Sequence, residues 1–206
     1  MGSLSEYRRK RSFKKTREPL PERKHSRTGH RFVVQKHRAR NLHYDLRLEA
    51  DGLLKSWAVP KGPSLDTHVK RLAMAVEDHP LDYADFEGVI PEGEYGGGTV
   101  MLWDQGTYEP ENGTDVASLL QKGELKFKLK GKKLKGSWVL VRTRARNWLL
   151  IKHRDSYVSD EDITETFPRS VTTGRTLAEI ASAEGGDVEK AAAGDPVSTG
   201  RKKRKR

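Results

Sequence analysis

The sequence predicts a mainly β protein: a small, closed or nearly closed antiparallel β-barrel with one or two short helices and flexible termini. Two observations support this fold. Short runs of alternating apolar and polar residues recur between residues 31 and 157, and glycine, proline or asparagine marks the turns between them. Only one segment in that range has the apolar spacing of a helix. Many short strands with a single helix are typical of antiparallel barrels and sandwiches.

The first three predicted strands form the clearest part of this pattern. Residues 32–35 are a short apolar run, and residues 42–49 alternate strictly between apolar and polar side chains. Residues 54–59 follow Asp51-Gly52, and this dipeptide between two alternating runs is a strong signal for a hairpin turn. The same alternation predicts six further strands, at residues 71–77, 98–103, 106–108, 124–129, 136–142 and 147–152.

Helices are predicted at two places. Residues 115–122 carry Val116, Leu119 and Leu120 at helical spacing, and Gly123 follows the end of the segment. Residues 176–183 are a weaker candidate, within a stretch rich in acidic residues, alanine and glycine.

Positive charge is concentrated at the two ends of the chain. The 206 residues include 40 Lys or Arg and 29 Asp or Glu, which gives a formal net charge of +11. Residues 1–30 hold ten basic and three acidic side chains, and residues 196–206 hold six basic and no acidic ones. Such ends attract phosphate backbones, although solvated tails that only keep a protein soluble have the same composition. We therefore divide the chain into a flexible basic arm (1–30), a barrel domain (31–157) and a linker or tail (158–206).

The composition excludes several classes of site and protein. The chain has no cysteine, so any metal must be held by histidine and carboxylate, and disulfides and cysteine nucleophiles are excluded. The first residues lack the apolar core of a secretory signal, and no apolar run approaches the roughly 18 residues of a membrane span. We expect a soluble, cytoplasmic protein without a membrane partner.

One face of the strand at residues 42–49 carries side chains suited to chemistry. The even-numbered residues are apolar, so His43, Asp45 and Arg47 share the opposite face at intervals of about 7 Å. His43 and Asp45 can bind one divalent cation, and His37 on the neighbouring segment can supply a third ligand. Two imidazoles and a carboxylate suit Mn, Fe, Co, Ni or Zn. Arg47 offers a planar fork for two oxygens of a phosphate.

Two other segments are unusual. His79 lies between a predicted strand and Pro80, where an imidazole can project into a cleft, but an ordinary loop histidine fits the same pattern. Residues 87–98 hold glycine at five of twelve positions. We interpret this segment as structural, with conformations that favour glycine or with close approach of another chain.

The sequence leaves two alternative functions open. An iron(II) and 2-oxoglutarate oxygenase would take His43, Asp45 and a distant His153 as its metal ligands. A non-catalytic DNA-binding module would rely on the lysine-rich residues 126–135, although that segment also reads as a strand with its lysines in solvent.

Five segments occur in order along the chain: LSEYRRKRSF, FVVQKHRARNLHYDLRLEADGLLKSWAVPKGPSLD, RLAMAVEDHPLDYADFEGVIPEGEYGGG, WLLIKHRD and RSVTTGRTLAEI. Together they resemble a known family, the 3′-phosphoesterase domain of bacterial ligase D, which heals DNA 3′ ends in non-homologous end joining. The resemblance covers roughly residues 4–180. The last segment resembles the one that leads into the ligase domain in fused members, so an excised domain and a separate polypeptide both fit.

The resemblance implies a β-barrel with a central cavity and a Mn²⁺-dependent enzyme, with Co²⁺ as another possible metal. Such an enzyme removes a 3′-terminal ribonucleoside and then the 3′-phosphate. Its partners are a DNA primer-template with a 3′-ribonucleotide or 3′-phosphate, ligase and polymerase domains and an end-binding Ku-type protein, and it works in the cytoplasm at the nucleoid.

The resemblance also assigns residues. The metal ligands are His37, His43 and Asp45; Arg47 and His79 hold the scissile phosphate, with Tyr83 close to it; Lys61 and Arg71 favour the monoester step; Gln35, Ser56 and Glu77 are supporting residues. Glu18 matches the arm of the family, whereas Ser12 replaces an acidic residue and Arg38 replaces a frequent aspartate. We expect the Arg38 side chain to point away from the metal.

Overall fold

Nine antiparallel strands lie between residues 31 and 152 of the computed structural model, which describes residues 3–24 and 30–196. They are β1 (Arg31–Arg38), β2 (Leu42–Ala50), β3 (Leu53–Val59), β4 (Lys70–Ala75), β5 (Gly88–Ile90), β6 (Gly98–Pro110), β7 (Glu124–Gly131), β8 (Lys135–Arg144) and β9 (Asn147–Lys152).

The strands pair in the order β1-β2-β3-β4-β9-β8-β7-β6, and β6 pairs back with β1. This last pairing closes an eight-stranded barrel, while β5 pairs with the first residues of β6. The predicted closed antiparallel barrel is therefore confirmed.

The helices of the described residues are short. They are α1 (Ser5–Arg9), a 3₁₀ helix (Leu81–Asp85), α2 (Val116–Lys122), α3 (Ile163–Thr166), α4 (Leu177–Glu184) and α5 (Val188–Ala192). Asp115 caps α2 by accepting the Ser118 N–H, and Gly123 ends it in the left-handed conformation. None of these helices has the length and apolar character needed to cross a membrane.

The hairpin between β2 and β3 has the geometry that its sequence predicts. Asp51 and Gly52 have φ values of 54° and 72°, the left-handed conformation that a two-residue hairpin turn with a primed geometry requires. This turn fixes the register in which Asp45 lies opposite Ala58 and Arg47 lies opposite Ser56.

Large apolar side chains fill the interior of the barrel. Tyr44, Leu46 and Leu48 of β2 point inward, and they join a buried cluster that contains all four tryptophans of the chain: Trp57, Trp103, Trp138 and Trp148. The expectation of a central cavity is therefore wrong, because these aromatic side chains occupy the space. The polar face of β2 lies on the outside of the barrel.

Strand boundaries differ from the sequence predictions at several places. β1 runs three residues past its predicted end at residue 35, to Arg38, because residues 36–38 pair with both β2 and β6. Residues 98–103 and 106–108 belong to one strand, β6, because the buried Asp104 accepts the N–H groups of Lys132, Lys133 and Leu134 at 2.8–3.0 Å. These bonds satisfy the buried carboxylate and so allow the strand to continue through Asp104. The sequence pattern alone predicts a break at this residue. β4 ends at Ala75, two residues early, and the three-residue β5 within the glycine-rich segment was not predicted.

The division into arm, barrel and tail stays a prediction, but residues of both outer segments pack on the barrel. Tyr7 of α1 is fully buried in a second apolar cluster on the outer face, with Val33 and Leu54. Leu177 and Ile180 of α4 are fully buried in the interior cluster. The predicted helix at 176–183 is thus part of the folded body, and the basic residues 201–206 lie outside the described residues.

Candidate metal and phosphate site

The candidate site lies on the outer face of β1, β2 and β3. His43, Asp45 and Arg47 project from β2 on the side opposite the apolar interior, as the alternation predicts. β1 places Gln35 directly across from Asp45 and His37 across from His43. Two neighbouring strands thereby bring five polar side chains to one surface.

Segments distant in sequence cover this surface and leave a cavity of about 210 Å³. The cover consists of the N-terminal segment around α1 and the segment from Glu77 to Gly98. The polar and aromatic residues that line the cavity are Arg11, His37, His43, Asp45, Arg47, Glu77, His79, Tyr83 and Tyr95.

The three predicted metal ligands lie together. One ligand atom from each of His37, His43 and Asp45 can be chosen so that all three lie within 4.8 Å of one another. Nδ1 of His37 is 3.9 Å from one oxygen of Asp45, and Nε2 of His43 is 3.7 Å from the other. This donor set fits a divalent transition metal.

Backbone carbonyls fix the tautomer of both histidines. Nε2–H of His37 donates to the Gly96 carbonyl at 2.8 Å, and Nδ1–H of His43 donates to the Asn41 carbonyl at 3.1 Å. The other nitrogen of each ring therefore carries a lone pair, and in both cases it is the nitrogen that faces Asp45. Metal-binding histidines have this arrangement, in which an outer hydrogen bond orients the ring.

The protonation states of Asp45 and His43 favour the binding of a cation. Burial by itself raises the pKa of Asp45, but nearby positive charge, chiefly the Arg47 guanidinium, outweighs it and holds that pKa well below its usual range. Burial lowers the pKa of His43, which keeps the ring neutral despite the neighbouring carboxylate. A charged carboxylate and a neutral imidazole are the forms that bind metal.

Arg47 connects the metal cluster to the rest of the cavity. Its Nε donates to Gln35 at 2.7 Å, and its Nη2 donates to Asp45 at 3.0 Å. Gln35 is held in turn, because its amide donates to the carbonyls of Tyr83 and Phe86 at 3.0 and 2.8 Å. Arg47 is 3% exposed, and these hydrogen bonds restrict the orientation of its guanidinium group.

His79 lies between two guanidinium groups. Nδ1 is 3.0 Å from Nη1 of Arg47, and Nε2 is 3.1 Å from Nη2 of Arg11. A neutral imidazole has one N–H and one lone pair, so in either tautomer one of these contacts joins two donors. Burial and the two arginines lower the pKa of His79 well below its ordinary value. Nδ1 also lies 2.9 Å from the Glu77 carbonyl, which accepts its N–H, so Nε2 accepts from Arg11 and the Arg47 N–H is the donor that has no acceptor at this contact.

Arg11 is a site residue that the sequence did not single out. Glu18 accepts from its Nε at 2.8 Å, and Glu77 accepts from its Nη1 at 3.1 Å. The side chain is 5% exposed, and its contacts with Glu77 and His79 span 66 and 68 residues of sequence. It is one of ten basic residues in a charged segment, so no local pattern distinguishes it.

Tyr83 packs beside the same histidine. Its ring centroid is 4.7 Å from that of His79, and the Arg47 guanidinium lies 4.8 Å from the Tyr83 centroid. The hydroxyl donates to Glu18 at 2.9 Å, and burial raises the pKa of Tyr83 well above its ordinary value. Tyr83 is therefore a neutral phenol that orients its neighbours.

The remaining predicted residues divide into two groups. Ser56 is buried, with its hydroxyl donating to the Leu54 carbonyl at 3.0 Å and lying 3.5 Å from Nδ1 of His79. Glu77 binds Lys10 and Arg11. By contrast, Lys61 is exposed in the turn after β3 and Arg71 lies on β4 opposite Leu150, and neither lines the cavity formed by the described residues.

The alternative functions receive no support from the geometry. His153 lies at the end of β9 with Nδ1 3.4 Å from the Ser137 hydroxyl, and it does not belong to the metal cluster. Within residues 3–24 and 30–196, that cluster is the one group of three potential ligands. The lysines of β7 alternate outward, and Lys130 pairs with Glu109, as on a solvated strand face.

The Arg38 side chain, which was expected to point away from the metal, donates to the Lys190 carbonyl at 3.1 Å.

The sequence matches a known domain family. A profile described as "DNA Ligase D 3'-phosphoesterase domain" matches residues 35–142. That range includes all three candidate metal ligands together with Arg47, His79 and Tyr83.

Curated relatives are similar over most of the chain. The multifunctional non-homologous end joining protein LigD of Pseudomonas aeruginosa is 52% identical over 183 residues, 84% of this chain and 22% of the relative. The multifunctional non-homologous end joining DNA repair protein LigD of Mycobacterium tuberculosis is 47% identical over 163 residues, 79% of this chain and 21% of the relative. The chain thus spans about a fifth of the length of these relatives.

Proposed function

The chain belongs to the family of DNA ligase D 3′-phosphoesterase domains, and we propose that it is a Mn²⁺-dependent enzyme that heals DNA 3′ ends. It would remove a 3′-terminal ribonucleoside as a phosphodiesterase and then the remaining 3′-phosphate as a phosphomonoesterase. The 3′-OH that results would serve repair by non-homologous end joining. The supporting observation is a three-residue candidate metal cluster beside the buried Arg47, where one N–H group of the guanidinium meets the Nδ1–H of His79 instead of an acceptor. A phosphate ester between the two would satisfy both.

His37, His43 and Asp45 would hold the ion, and two imidazoles with a carboxylate are compatible with Mn²⁺ and with Co²⁺. When bound, such an ion stabilises negative charge on a phosphate oxygen and lowers the pKa of a coordinated hydroxyl group.

Arg47 would bind the non-bridging oxygens of the phosphate. Its contacts with Gln35, His79 and Asp45 use three of the five N–H groups of the guanidinium. One N–H remains on each terminal nitrogen, which is the paired arrangement that a phosphate accepts. Since these donors are already oriented, they stabilise charge that develops in the transition state without reorganisation.

Arg11 and His79 would complete the phosphate site from the other side. An anionic oxygen between the two guanidinium groups would accept from the Arg47 N–H that meets a donor at His79. His79, whose Nδ1–H donates to the Glu77 carbonyl at 2.9 Å, would hold both guanidinium groups beside that oxygen. A phosphate also reverses the local electrostatics, because its negative charge raises the pKa of an adjacent imidazole and so favours proton transfer to the leaving oxygen.

The partners of the proposed enzyme follow from its relatives. We propose a DNA primer-template as substrate, and ligase and polymerase domains with an end-binding Ku-type protein as partners. The relatives are named as multifunctional end-joining proteins, and this chain matches about a fifth of each. The ligase and polymerase domains can therefore lie on the same polypeptide or on separate ones.

The test is an end-mapping assay with a 5′-labelled primer-template that carries one 3′-ribonucleotide. With Mn²⁺ we expect a 3′-phosphate product first and a 3′-OH product later, and with EDTA we expect neither. Asp45→Asn should abolish both steps and Mn²⁺ binding. Full activity of this variant, or turnover in EDTA, would rule out the proposal.

Arg47→Lys separates phosphate binding from metal binding. Lysine keeps the charge but loses the planar fork, so turnover should fall about 100- to 1,000-fold, the usual effect of removing one oriented donor at a developing charge. Mn²⁺ affinity, measured by titration, should change far less than in Asp45→Asn. The assay with 3′-phosphate DNA also tests Lys61→Ala and Arg71→Ala, for which a selective loss of the second step is predicted.

A further inference from the structure

An exposed aromatic side chain lies at the mouth of the candidate site. Tyr95 lies in the turn between β5 and β6, lines the cavity and is 50% exposed. Among the large apolar residues that are exposed in the described part of the chain, it is the one that borders this cavity. The candidate mechanism does not use it.

The position of Tyr95 is tied to the metal cluster. The next residue, Gly96, accepts the hydrogen bond that orients His37. The Tyr95 ring also packs against the N-terminal segment, since Nζ of Lys10 lies 4.5 Å from the ring centroid and donates to the hydroxyl at 3.1 Å. Half of the surface of Tyr95 is thus exposed to solvent beside the candidate metal and phosphate site, while Lys10 contacts the ring and the hydroxyl.

The size of the cavity indicates what lies at its mouth. Pockets that bury most of a drug-sized ligand have roughly 300–1,000 Å³, whereas this cavity has about 210 Å³. It can enclose a phosphate and the atoms bonded to it, but a base attached to that phosphate would remain outside, at the level of Tyr95.

We propose that the exposed face of Tyr95 is a stacking platform for a nucleobase adjacent to the scissile phosphate. This inference rests on the proposed function and adds a substrate-binding residue to it. Aromatic side chains stack on bases without regard to sequence and contribute about five- to hundredfold in affinity per base. Lys10, against the same ring, adds a cation near the phosphate backbone.

Two bases lie next to the scissile phosphate. The base of the terminal ribonucleoside leaves in the first step, and the base of the penultimate nucleotide stays. A primer that ends in a ribonucleotide carries both, whereas a primer that ends in a 3′-phosphate carries only the second. An effect on both substrates identifies the penultimate base, and an effect on the first substrate alone identifies the terminal base.

The test compares Tyr95→Leu and Tyr95→Phe with Tyr157→Leu, a matched control at a residue that is 49% exposed and does not line the cavity. For Tyr95→Leu we expect about a tenfold rise in KM for the ribonucleotide primer, with kcat within about twofold. Tyr95→Phe keeps the ring and should stay within about twofold of the wild type, as should the control.

Equal losses in Tyr95→Leu and Tyr95→Phe would instead assign the effect to the hydroxyl and Lys10. An unchanged KM in Tyr95→Leu on both substrates would overturn the proposal.

Stacking can be measured apart from turnover. A primer with 2-aminopurine at the terminal or penultimate position reports stacking by a loss of fluorescence, read in a stopped-flow experiment before cleavage. We expect the loss with the wild type and with Tyr95→Phe, but not with Tyr95→Leu. Quenching without any phosphate release would reject the proposed enzyme and keep the stacking site, whereas turnover without Tyr95-dependent quenching would do the reverse.

Discussion

At the scale of single residues, His79 is a side chain whose charge state is set by what surrounds it. Burial and the guanidinium groups of Arg47 and Arg11 lower its pKa well below the ordinary value. An unfolded histidine titrates near 6.5. Between that pH and the lower pKa of the folded state, the unfolded chain binds more protons, and stability is lost as the pH falls.

We therefore predict that the free energy of unfolding of the metal-free protein decreases as the pH falls from 7 towards 5. One buried histidine contributes at most about 1.4 kcal/mol per pH unit in this window. Urea unfolding at several pH values measures the slope. His79→Asn should reduce it without removing it, because the pKa of His43 is lowered too.

His68→Asn is the matched control for this prediction. The His68 side chain is 85% exposed and lies 3.0 Å from Asp66 at the surface, so its replacement should change the slope less than that of the buried His79. An equal slope in the wild type and in His79→Asn would contradict the assignment of a neutral, buried His79.

The residues of the site differ in how far the sequence could predict them. His43, Asp45 and Arg47 were predictable because they lie on one alternating strand, where a period of two decides which side chains share a face. His37 lies beyond the predicted end of its strand, so alternation alone did not predict its place opposite His43. Arg11 and Tyr95 reach the cavity through contacts between distant segments, such as the bond from Lys10 to Tyr95 across 85 residues. Spacing within one segment contains no signal for such contacts.

At the scale of elements, the turn between β5 and β6 contacts the candidate metal cluster through a hydrogen bond to His37. Gly96 has a φ of 79°, and its carbonyl accepts Nε2–H of His37 at 2.8 Å. A side chain at Gly96 would strain the backbone, and its Cβ would lie 3.6 Å from the His37 ring. The backbone of a glycine that the sequence analysis interpreted as structural therefore orients a candidate metal ligand.

We predict that Gly96→Ala lowers Mn²⁺ affinity about tenfold, the lower end of the effect of losing an outer hydrogen bond to a metal ligand. Gly93→Ala is the matched control, because its φ of 84° gives the same strain but no atom lies within 4 Å of the added Cβ. Titration with Mn²⁺ should show a normal affinity in Gly93→Ala. Equal losses in the two variants would attribute the effect to strain in the turn.

The strands themselves were predicted well where alternation and turn residues agree, as in the β2–β3 hairpin. They were predicted less well where a polar side chain within a strand is bonded by backbone groups of another segment. Asp104 is an unfavourable residue for a strand, but three backbone N–H groups from the β7–β8 turn satisfy its carboxylate inside β6. A pattern along one strand cannot show donors that come from another.

At the scale of the whole molecule, the structure bears on whether the barrel is complete at residue 157. The Phe167 carbonyl accepts from the Trp103 indole at 2.8 Å, and Leu177 and Ile180 are fully buried among the interior residues. Exposing those two side chains alone costs about 3–6 kcal/mol, a large part of the 5–15 kcal/mol that stabilises a typical domain. These contacts indicate that the folded unit extends beyond the predicted boundary.

We predict that a chain ending at residue 157 unfolds at a much lower urea concentration than one ending at residue 196, or fails to fold. The chain ending at 196 retains every contact described above and should match the 206-residue chain, so it is the control. Thr176→Ala provides a graded test, since Thr176 caps α4 by accepting the Glu179 N–H and forms a capping box with it. Loss of such a cap costs about 1 kcal/mol, and Mn²⁺ affinity should be unchanged because α4 does not contribute to the metal cluster. If the chain ending at 157 unfolds at the same urea concentration as the control, residues 158–196 are the linker that composition alone predicts, and the burial of Leu177 and Ile180 adds nothing to stability.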